Sequence, residues 1–129
     1  LYGDGRNVRD WIHVDDHSSA MWDILTRGRC GETYLVGADG ERGNVDVLGA
    51  VLAAMGKGAD DFDRVPDRPG HDRRYAVDAS KLRRELGWRP THTDFPEGLR
   101  STVDWYLTHE PWWRPAKAAT EARYAERGR

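Results

Sequence analysis

The sequence has 129 residues, the length of one ordinary domain, and 38% of them are hydrophobic. Its 20 lysines and arginines nearly balance 22 aspartates and glutamates, so the net charge of −2 gives no general attraction to nucleic acid or anionic lipid, and any anion site must be local. The single cysteine excludes an internal disulfide framework and favours a reducing, cytoplasmic location, and no apolar run has the length of a membrane span.

The first half of the chain alternates short strand-like segments with helical patterns. "NVRDWIHV" predicts a strand, and "DDHSSAMWDILTRG" predicts a helix that Asp15 or Asp16 caps and that Gly28 ends in a left-handed conformation. "GETYLVGA" predicts a second strand. After a glycine-rich turn, "NVDVLGAVLAAMGKG" predicts a helix with Asn44 as its cap.

The second half is irregular and charged up to Tyr75 and helical beyond it. "DASKLRRELGWRP" predicts a short helix that Asp78 or Ser80 caps and that Gly87 ends. "DFPEGLRSTVDWYLTHEPWW" predicts the last well-supported helix, with Pro96 in its first turn.

This order of elements places the chain in the α/β class. Two short strands cannot form a sheet that covers these helices, so we expect part of the sheet to be missing. The turn-like start at Leu1 also indicates a piece of a longer protein. We expect one unit over residues 1–113 and, over residues 114–129, a tail that is frayed or docks elsewhere.

One segment imitates a dinucleotide-binding loop. "GADGERG" places Gly37, Gly40 and Gly43 at G-x-x-G-x-x-G spacing between a predicted strand and a predicted helix. Glu41 would repel a phosphate there, and the last glycine precedes the helix cap instead of lying inside the helix. We therefore interpret this segment as an ordinary glycine-rich turn.

A second segment imitates a zinc-protease motif. "HVDDH" places His13 and His17 four residues apart, as in H-E-x-x-H. Val14 stands where that motif has its glutamate, and a predicted strand-to-helix boundary runs through the segment. We therefore predict no metal site in this segment.

A third segment, "PDRPGHDRRY", is rich in charges of both signs. Its arginines offer planar forks suited to phosphate, and Pro69-Gly70 predicts a tight turn whose amides favour an anion clamp. Its two aspartates make a solvated, self-neutralising loop an equal alternative. Nucleic-acid binding is disfavoured because no broader basic face accompanies the segment.

Four segments together resemble a known family. "RDWIHVDDHSSA", "GETYLVGADGERGNVDV", "DRPGHDRRYAVDASKLRRELGW" and "GLRSTVDWYL" are similar, in this order, to the carboxy-terminal part of the dTDP-glucose 4,6-dehydratase family of extended short-chain dehydrogenases/reductases. The resemblance covers residues 2–113, and "RPGHDRRY" is its most specific part. It implies a substrate-binding portion that is mostly helical with a few short strands and lacks the Rossmann half.

The resemblance implies a function for the full-length protein. The family converts dTDP-glucose to dTDP-4-keto-6-deoxyglucose and water with tightly bound NAD, which the absent amino-terminal domain holds, and its members are commonly homodimers. The Tyr-x-x-x-Lys and Asp-Glu pairs that this chemistry requires are not identifiable here. We therefore expect no catalytic and no cofactor-binding residue in this chain, and no activity from it alone.

The resemblance also implies which residues bind the nucleotide sugar. It leaves open whether Arg73 and Arg74 join them or pair with neighbouring carboxylates. Two alternative functions stay open: a related UDP- or GDP-sugar dehydratase, epimerase or decarboxylase, and a truncated, non-catalytic binding module. The implied substrate-binding residues are Arg9, Asn44, Asp67, Arg68, Pro69, Gly70, His71 and Tyr75.

Overall fold

The structure is a computed structural model that describes residues 1–126. No helix in this part of the chain is long and apolar enough to cross a membrane. The elements in chain order are β1 (Val8–Asp10), α1 (Val14–Arg27), β2 (Glu41–Gly43), α2 (Asn44–Ala54), α3 (Ser80–Leu86), α4 (Phe95–Thr108) and α5 (Glu110–Glu126).

A two-stranded antiparallel sheet joins β1 to β2. Val8 pairs with Gly43, and on its other side Val8 forms a parallel bridge to Arg74. Strand β2 occupies the end of the segment interpreted as a turn, so that part of the interpretation was wrong. The sequence did not indicate a strand because these three residues, Glu-Arg-Gly, carry no apolar alternation.

The predicted strand "GETYLVGA" does not form, which corrects the second strand prediction. Residues 32–38 pair with no other segment in the described part of the chain. Tyr34 and Val36 instead pack against the core. The segment has strand-forming residues, but a strand also needs a neighbouring backbone to bond.

Helix α1 has a different cap from the predicted one. The His13 side chain accepts the N–H of Asp15 at 3.2 Å, so neither Asp15 nor Asp16 is the cap. Gly28 ends the helix in an extended conformation (φ −67°, ψ 154°), not a left-handed one. A Cβ at Gly28 would collide with the carbonyl oxygen of Ile24, so close backbone approach is what requires the glycine.

Asp16 has a structural role between α1 and the segment that precedes α4. Its side chain is buried, and it accepts hydrogen bonds from the Thr91 N–H and hydroxyl at 2.8 Å and from the His92 N–H at 2.9 Å. Burial raises the pKa of Asp16, but these hydrogen bonds outweigh it and lower the pKa to about 2. The ionised carboxylate therefore ties two distant segments together.

The structure also tests the predicted first and last residues of helices α2, α3 and α4. The cap of α2 is Gly43, so the prediction of Asn44 as cap was wrong; Asn44 is the first helical residue. The cap of α3 is Ala79, so the prediction of Asp78 or Ser80 as cap was wrong, although the carboxylate of Asp78 accepts the N–H of Ser80 at 2.8 Å. Gly87 ends α3 with a left-handed φ of 72°, as predicted. Pro96 lies in the first turn of α4, also as predicted.

The core lies between α1 and α3. Ala20 and Leu82 are completely buried there, and the Trp88 indole N–H donates to the Ser19 hydroxyl at 3.0 Å. Trp22 and Leu25 on α1 stay exposed, at 65% and 78% of their surface. Helix α1 therefore buries one side against α3 and leaves apolar side chains on another.

Helix α5 covers residues 114–126 of the predicted tail, and residues 127–129 lie outside the described residues. It begins at Glu110 and continues to Glu126 without a buried residue. The helix predicted to reach Trp113 ends instead at Thr108, where α4 stops. The division between residues 113 and 114 stays a prediction, and the structure adds that one helix crosses it.

Candidate nucleotide-binding site

The amino-terminal segment brings the predicted site residues to one side of the molecule. It runs beside the arginine-rich segment, with hydrogen bonds from the Gly3 N–H to the Val65 carbonyl at 3.0 Å and from the Val8 N–H to the Arg73 carbonyl at 2.9 Å. On its other edge lies β2, which leads directly into α2. Residues 1–10 therefore separate the start of α2 from the turn 67–71 and hold both.

Arg9 is the best-fixed cation of the site. Its Nη1 donates to the Val8 carbonyl at 2.6 Å, and its Nη2 donates to the Asp72 carbonyl at 2.8 Å. Its guanidinium carbon lies 4.1 Å from the centre of the Tyr75 ring. A guanidinium has five N–H donors, so three remain after these two bonds. Arg9 is thus a half-buried, oriented donor group suited to an anion.

Residues 68–71 form the tight turn that the sequence predicted. The His71 N–H donates to the Arg68 carbonyl at 3.3 Å, Pro69 occupies the second position, and Gly70 has a φ of 70°. This combination defines a type II turn, in which the third residue needs positive φ. A Cβ at Gly70 would meet nothing within 4 Å, so the conformation, and not space, requires the glycine.

A carboxylate and an imidazole are paired across this turn. Asp67 Oδ1 lies 2.6 Å from His71 Nδ1 and also accepts the Arg68 N–H at 2.9 Å. The hydrogen bond from His71 has the largest effect on the pKa of Asp67 and lowers it; burial opposes this effect, the hydrogen bond from the Arg68 amide adds to it, and the pKa is lowered overall. Asp67 is therefore ionised at neutral pH.

The other arginines of this segment differ in whether they form ion pairs with carboxylates. Arg73 forms an ion pair with Asp4 at 3.1 Å, and Arg74 binds Glu41 through two hydrogen bonds of 2.6 and 2.8 Å. Within residues 1–126, Arg68 forms no ion pair. Arg73 and Arg74 therefore both pair with carboxylates in this structure, which is one of the two alternatives left open for them.

Asn44 lies at the edge of this arrangement. Its backbone N–H donates to the Asn7 carbonyl at 2.9 Å, which joins the first residue of α2 to the amino-terminal segment. Its side chain makes no hydrogen bond to any residue in the described part of the chain. Within residues 1–126, no hydrogen bond therefore joins the Asn44 side chain to Arg9 or to the turn.

Asn7 is a site residue that the sequence reasoning missed. It is 3% exposed, and its side-chain Nδ2 donates at 3.0 Å to the Asp72 carbonyl, the same oxygen that accepts from Arg9. Its own carbonyl accepts the Asn44 N–H. An asparagine just before a short strand carries no local signal of such a bridge, because its partners lie 37 and 65 residues further along the chain.

The histidine-containing segment forms a second polar cluster. His13 stacks on His92 with ring centres 3.9 Å apart and planes 14° apart, beside a cavity of about 370 Å³. Ligand atoms of His13, Asp15 and His92 lie within 4.8 Å of one another, whereas His17 is not in the group. A metal in the plane of one stacked ring lies out of the plane of the other, so this arrangement fits a shared ion poorly.

The glycine-rich segment also fails the geometry of a dinucleotide loop. Residues 41–43 are paired to β1, and the Glu41 carboxylate faces Arg74. A phosphate at this position would meet a strand and a carboxylate instead of free amides. The residues present in this segment do not fit NAD.

Comparisons with known proteins agree on one group. The chain is 61% identical over 128 residues to dTDP-glucose 4,6-dehydratase of Mycolicibacterium smegmatis, covering 99% of this chain and 39% of that protein. It is 50% identical to the enzyme of the same name from Xanthomonas campestris, covering 87% of this chain and 34% of that protein. The chain therefore spans little more than a third of the length of these relatives.

Solved structures give the same result. The dTDP-glucose 4,6-dehydratase of Streptomyces venezuelae, solved with NAD and TYD bound, has a TM-score of 0.83 and 44% identity over 89% of this chain and 35% of its own. The Bacillus anthracis enzyme, solved with NAD, has a TM-score of 0.81 and 49% identity over 89% of this chain and 36% of its own.

The fold places this chain in the class of extended short-chain dehydrogenases/reductases, which confirms the predicted fold class. A family model described as GDP-mannose 4,6 dehydratase matches residues 1–102. The chain belongs to this family. The predicted resemblance to dTDP-glucose 4,6-dehydratases is likewise confirmed.

Proposed function

We propose that this chain is the nucleotide-sugar-binding part of a dTDP-glucose 4,6-dehydratase. The full-length protein converts dTDP-glucose to dTDP-4-keto-6-deoxyglucose and water. The similarity to dehydratases of this name supports the reaction, and the Arg9 geometry supports the role of this chain in it. Arg9 is the observation that carries the proposal, since an oriented, half-buried guanidinium with unused donors suits a diphosphate.

The substrate-binding residues are proposed on the same basis. Arg9 and Arg68 supply the charge that meets the diphosphate, and Asn44 lies at the amino-terminal end of α2, where backbone N–H groups and the helix dipole favour an anion. The turn places Asp67, Pro69, Gly70 and His71 beside Arg68, and Tyr75 lies under Arg9.

Oxidation and reduction of the sugar are supplied by NAD when it is bound. The described residues offer no loop that fits NAD, so we propose that another part of the longer protein holds it. The solved relatives with NAD in their structures support this division. A homodimeric, cytoplasmic enzyme is the form that we propose for the full-length protein.

The test is conversion of a defined substrate by the full-length protein. Incubation with dTDP-glucose and NAD is expected to give the 4-keto-6-deoxy product, detected by mass spectrometry as the loss of one water. A parallel panel of UDP-glucose, GDP-mannose and GDP-glucose tests base selection. Efficient turnover of a GDP- or UDP-sugar and none of dTDP-glucose would contradict the proposal.

The panel of sugar nucleotides is needed because one observation favours a GDP-sugar as the substrate. The matching family model carries the description GDP-mannose 4,6 dehydratase, so a GDP-sugar is the principal competitor. Diphosphate recognition by Arg9 and Arg68 is common to both candidates. The relative kcat/KM for the sugar nucleotides distinguishes them.

A further inference from the structure

Asn7 and Arg9 donate hydrogen bonds to the same atom, the carbonyl oxygen of Asp72. Nδ2 of Asn7 lies 3.0 Å from this oxygen, and Nη2 of Arg9 lies 2.8 Å from it. Val8, between the two donors, forms the parallel bridge to Arg74. Because side chains alternate between the two faces of an extended backbone, residues 7 and 9 project to the same face. The carbonyl oxygen has two lone pairs, and these two bonds use both.

The peptide group between Asp72 and Arg73 depends on these two bonds. Within residues 1–126, the N–H of Arg73 donates to no residue, and the Asp72 carbonyl accepts from Asn7 and Arg9 alone. Without Asn7, the orientation of this carbonyl would depend on Arg9, which is the group that the carbonyl orients. The bond from Asn7 is therefore the independent support of the carbonyl.

Asn7 is more firmly held than Arg9. It is 3% exposed, whereas Arg9 is half-buried. Its backbone carbonyl accepts the N–H of Asn44, the first residue of α2, at 2.9 Å. An arginine side chain loses much rotamer freedom when it is fixed, so a half-buried arginine needs a support of this kind to keep one orientation.

The other contacts of Arg9 do not replace this support. Nη1 donates to the carbonyl of the adjacent residue, Val8, at 2.6 Å. Tyr75 covers one face of the guanidinium, with 4.1 Å from the guanidinium carbon to the ring centre, but a ring face does not fix how the guanidinium is rotated over it. Among the described residues, the Asp72 carbonyl is the acceptor of Arg9 that is distant in sequence. It therefore sets the direction of the unused N–H donors.

We propose that Asn7 is a positioning residue that fixes the Asp72 carbonyl, so that Arg9 is oriented towards the nucleotide diphosphate before the nucleotide binds. This inference rests on the proposed function of the site. Asn7 acts through Arg9 and donates no hydrogen bond to the ligand. Loss of its side chain lowers the fraction of molecules in which Arg9 has the binding orientation, and the apparent affinity falls by that fraction.

The experiment is a double-mutant cycle on the full-length protein, with dTDP binding measured by calorimetry. The cycle compares the native protein, Asn7→Ala, Arg9→Ala and the double variant. Asn7→Ala alone is expected to weaken binding about three- to tenfold, the range for one lost hydrogen bond. In the Arg9→Ala protein, the same substitution is expected to change the affinity by less than about twofold, because the residue through which Asn7 acts is absent.

Turnover of dTDP-glucose provides a second readout that a general loss of structure does not reproduce. A diphosphate contact holds the substrate equally before and during the reaction. Asn7→Ala is therefore expected to raise KM about three- to tenfold and to leave kcat within about twofold of the native value.

Two further variants make the result specific. Ser19→Ala is the stability control, because it removes the acceptor of the Trp88 indole N–H in the core, a bond between residues 69 positions apart. It is expected to lower the melting temperature and to keep the native affinity for dTDP. If Asn7→Ala does not fold, Asn7→Ser keeps a polar side chain that is too short to reach the Asp72 carbonyl, and it takes the place of Asn7→Ala in the cycle.

The outcomes separate this inference from the proposed function. An equal loss of affinity when Asn7 is replaced in the native and in the Arg9→Ala protein would assign Asn7 a purely structural role and overturn the inference. Native affinity in the Asn7 variant would also overturn it. Failure of the native protein to bind dTDP, or native affinity in Arg9→Ala, would contradict the proposed function instead.

Discussion

The guanidinium of Arg9 lies 4.1 Å from the ring centre of Tyr75, while the same guanidinium donates to the carbonyl of Asp72. Arg9 and Tyr75 are separated by 66 positions in the sequence. A backbone hydrogen bond from the Tyr75 N–H to the Val8 carbonyl, at 3.3 Å, brings them together. The aromatic face and the carbonyl therefore fix the cation before any ligand arrives. Preorganisation of this kind lowers the entropic cost of binding.

Replacement of Tyr75 tests this support of Arg9. Tyr75→Leu removes the aromatic face and is expected to weaken dTDP binding by about two- to fivefold, the effect of losing an exposed cation–π contact worth about 0.5–1 kcal/mol. Tyr75→Phe keeps the face and is expected to bind like the native protein. Calorimetric dissociation constants for the two variants provide the check. An equal loss in both would assign the effect to the hydroxyl group, contrary to this prediction.

Asp16 is expected to make stability pH-dependent in the acidic range. Its pKa is about 2 in the folded state against 3.8 for an unperturbed aspartate, so the folded state favours the ionised form. This contribution, about 2 kcal/mol, is present above pH 3.8 and is lost as pH falls towards 2. Denaturant unfolding of the native protein and of Asp16→Asn at several pH values measures it.

The Asp16→Asn variant is expected to be less stable at neutral pH and to lose most of this acid dependence. Asp15→Asn is the matched control, since Asp15 is the preceding residue and its side chain is 73% exposed. A loss of stability in Asp15→Asn as large as in Asp16→Asn would show that charge at the start of α1, and not the buried bonds to Thr91 and His92, is responsible.

Gly37 is expected to tolerate no side chain. A Cβ there would lie 2.5 Å from Asp10 Oδ2 and 2.7 Å from Val77 Cγ2. Gly37→Ala is therefore expected to lower the free energy of unfolding by about 1–3 kcal/mol, as overpacking does. Gly49→Ala, inside α2 with open space around it, is expected to be neutral or stabilising by up to about 1 kcal/mol. The two unfolding curves check the pair, and equal effects would refute the packing account.

Local signals in the sequence were sufficient for most helices. The stop at Gly87 and the position of Pro96 depend on neighbours within a few residues, and both were predicted correctly. The cap of α1 was not, because Asp16 is drawn away by Thr91, 75 residues further along the chain. The Asp16 carboxylate cannot cap α1 and also bind the distant residues Thr91 and His92, and in the structure it binds the distant residues.

Strands and the site depended on distant partners. "GETYLVGA" has the composition of a strand but no pairing segment in the described structure, whereas Glu41–Gly43 lacks that composition and pairs because β1 lies alongside. Arg9 was identified as a site residue through the resemblance to a family. Its fixation by the Asp72 carbonyl and Tyr75, and the bridge made by Asn7, required the folded chain.

The central claim is that Arg9 and Arg68 hold a nucleotide diphosphate, and calorimetry of dTDP binding to the full-length protein tests it most directly. Arg9→Ala and Arg68→Ala are each expected to weaken binding by at least about tenfold, since a charged hydrogen bond to an anion contributes about 1.5–3 kcal/mol. Arg84→Ala, an exposed position on α3, is expected to bind like the native protein. Unchanged affinity in both site variants would contradict the account.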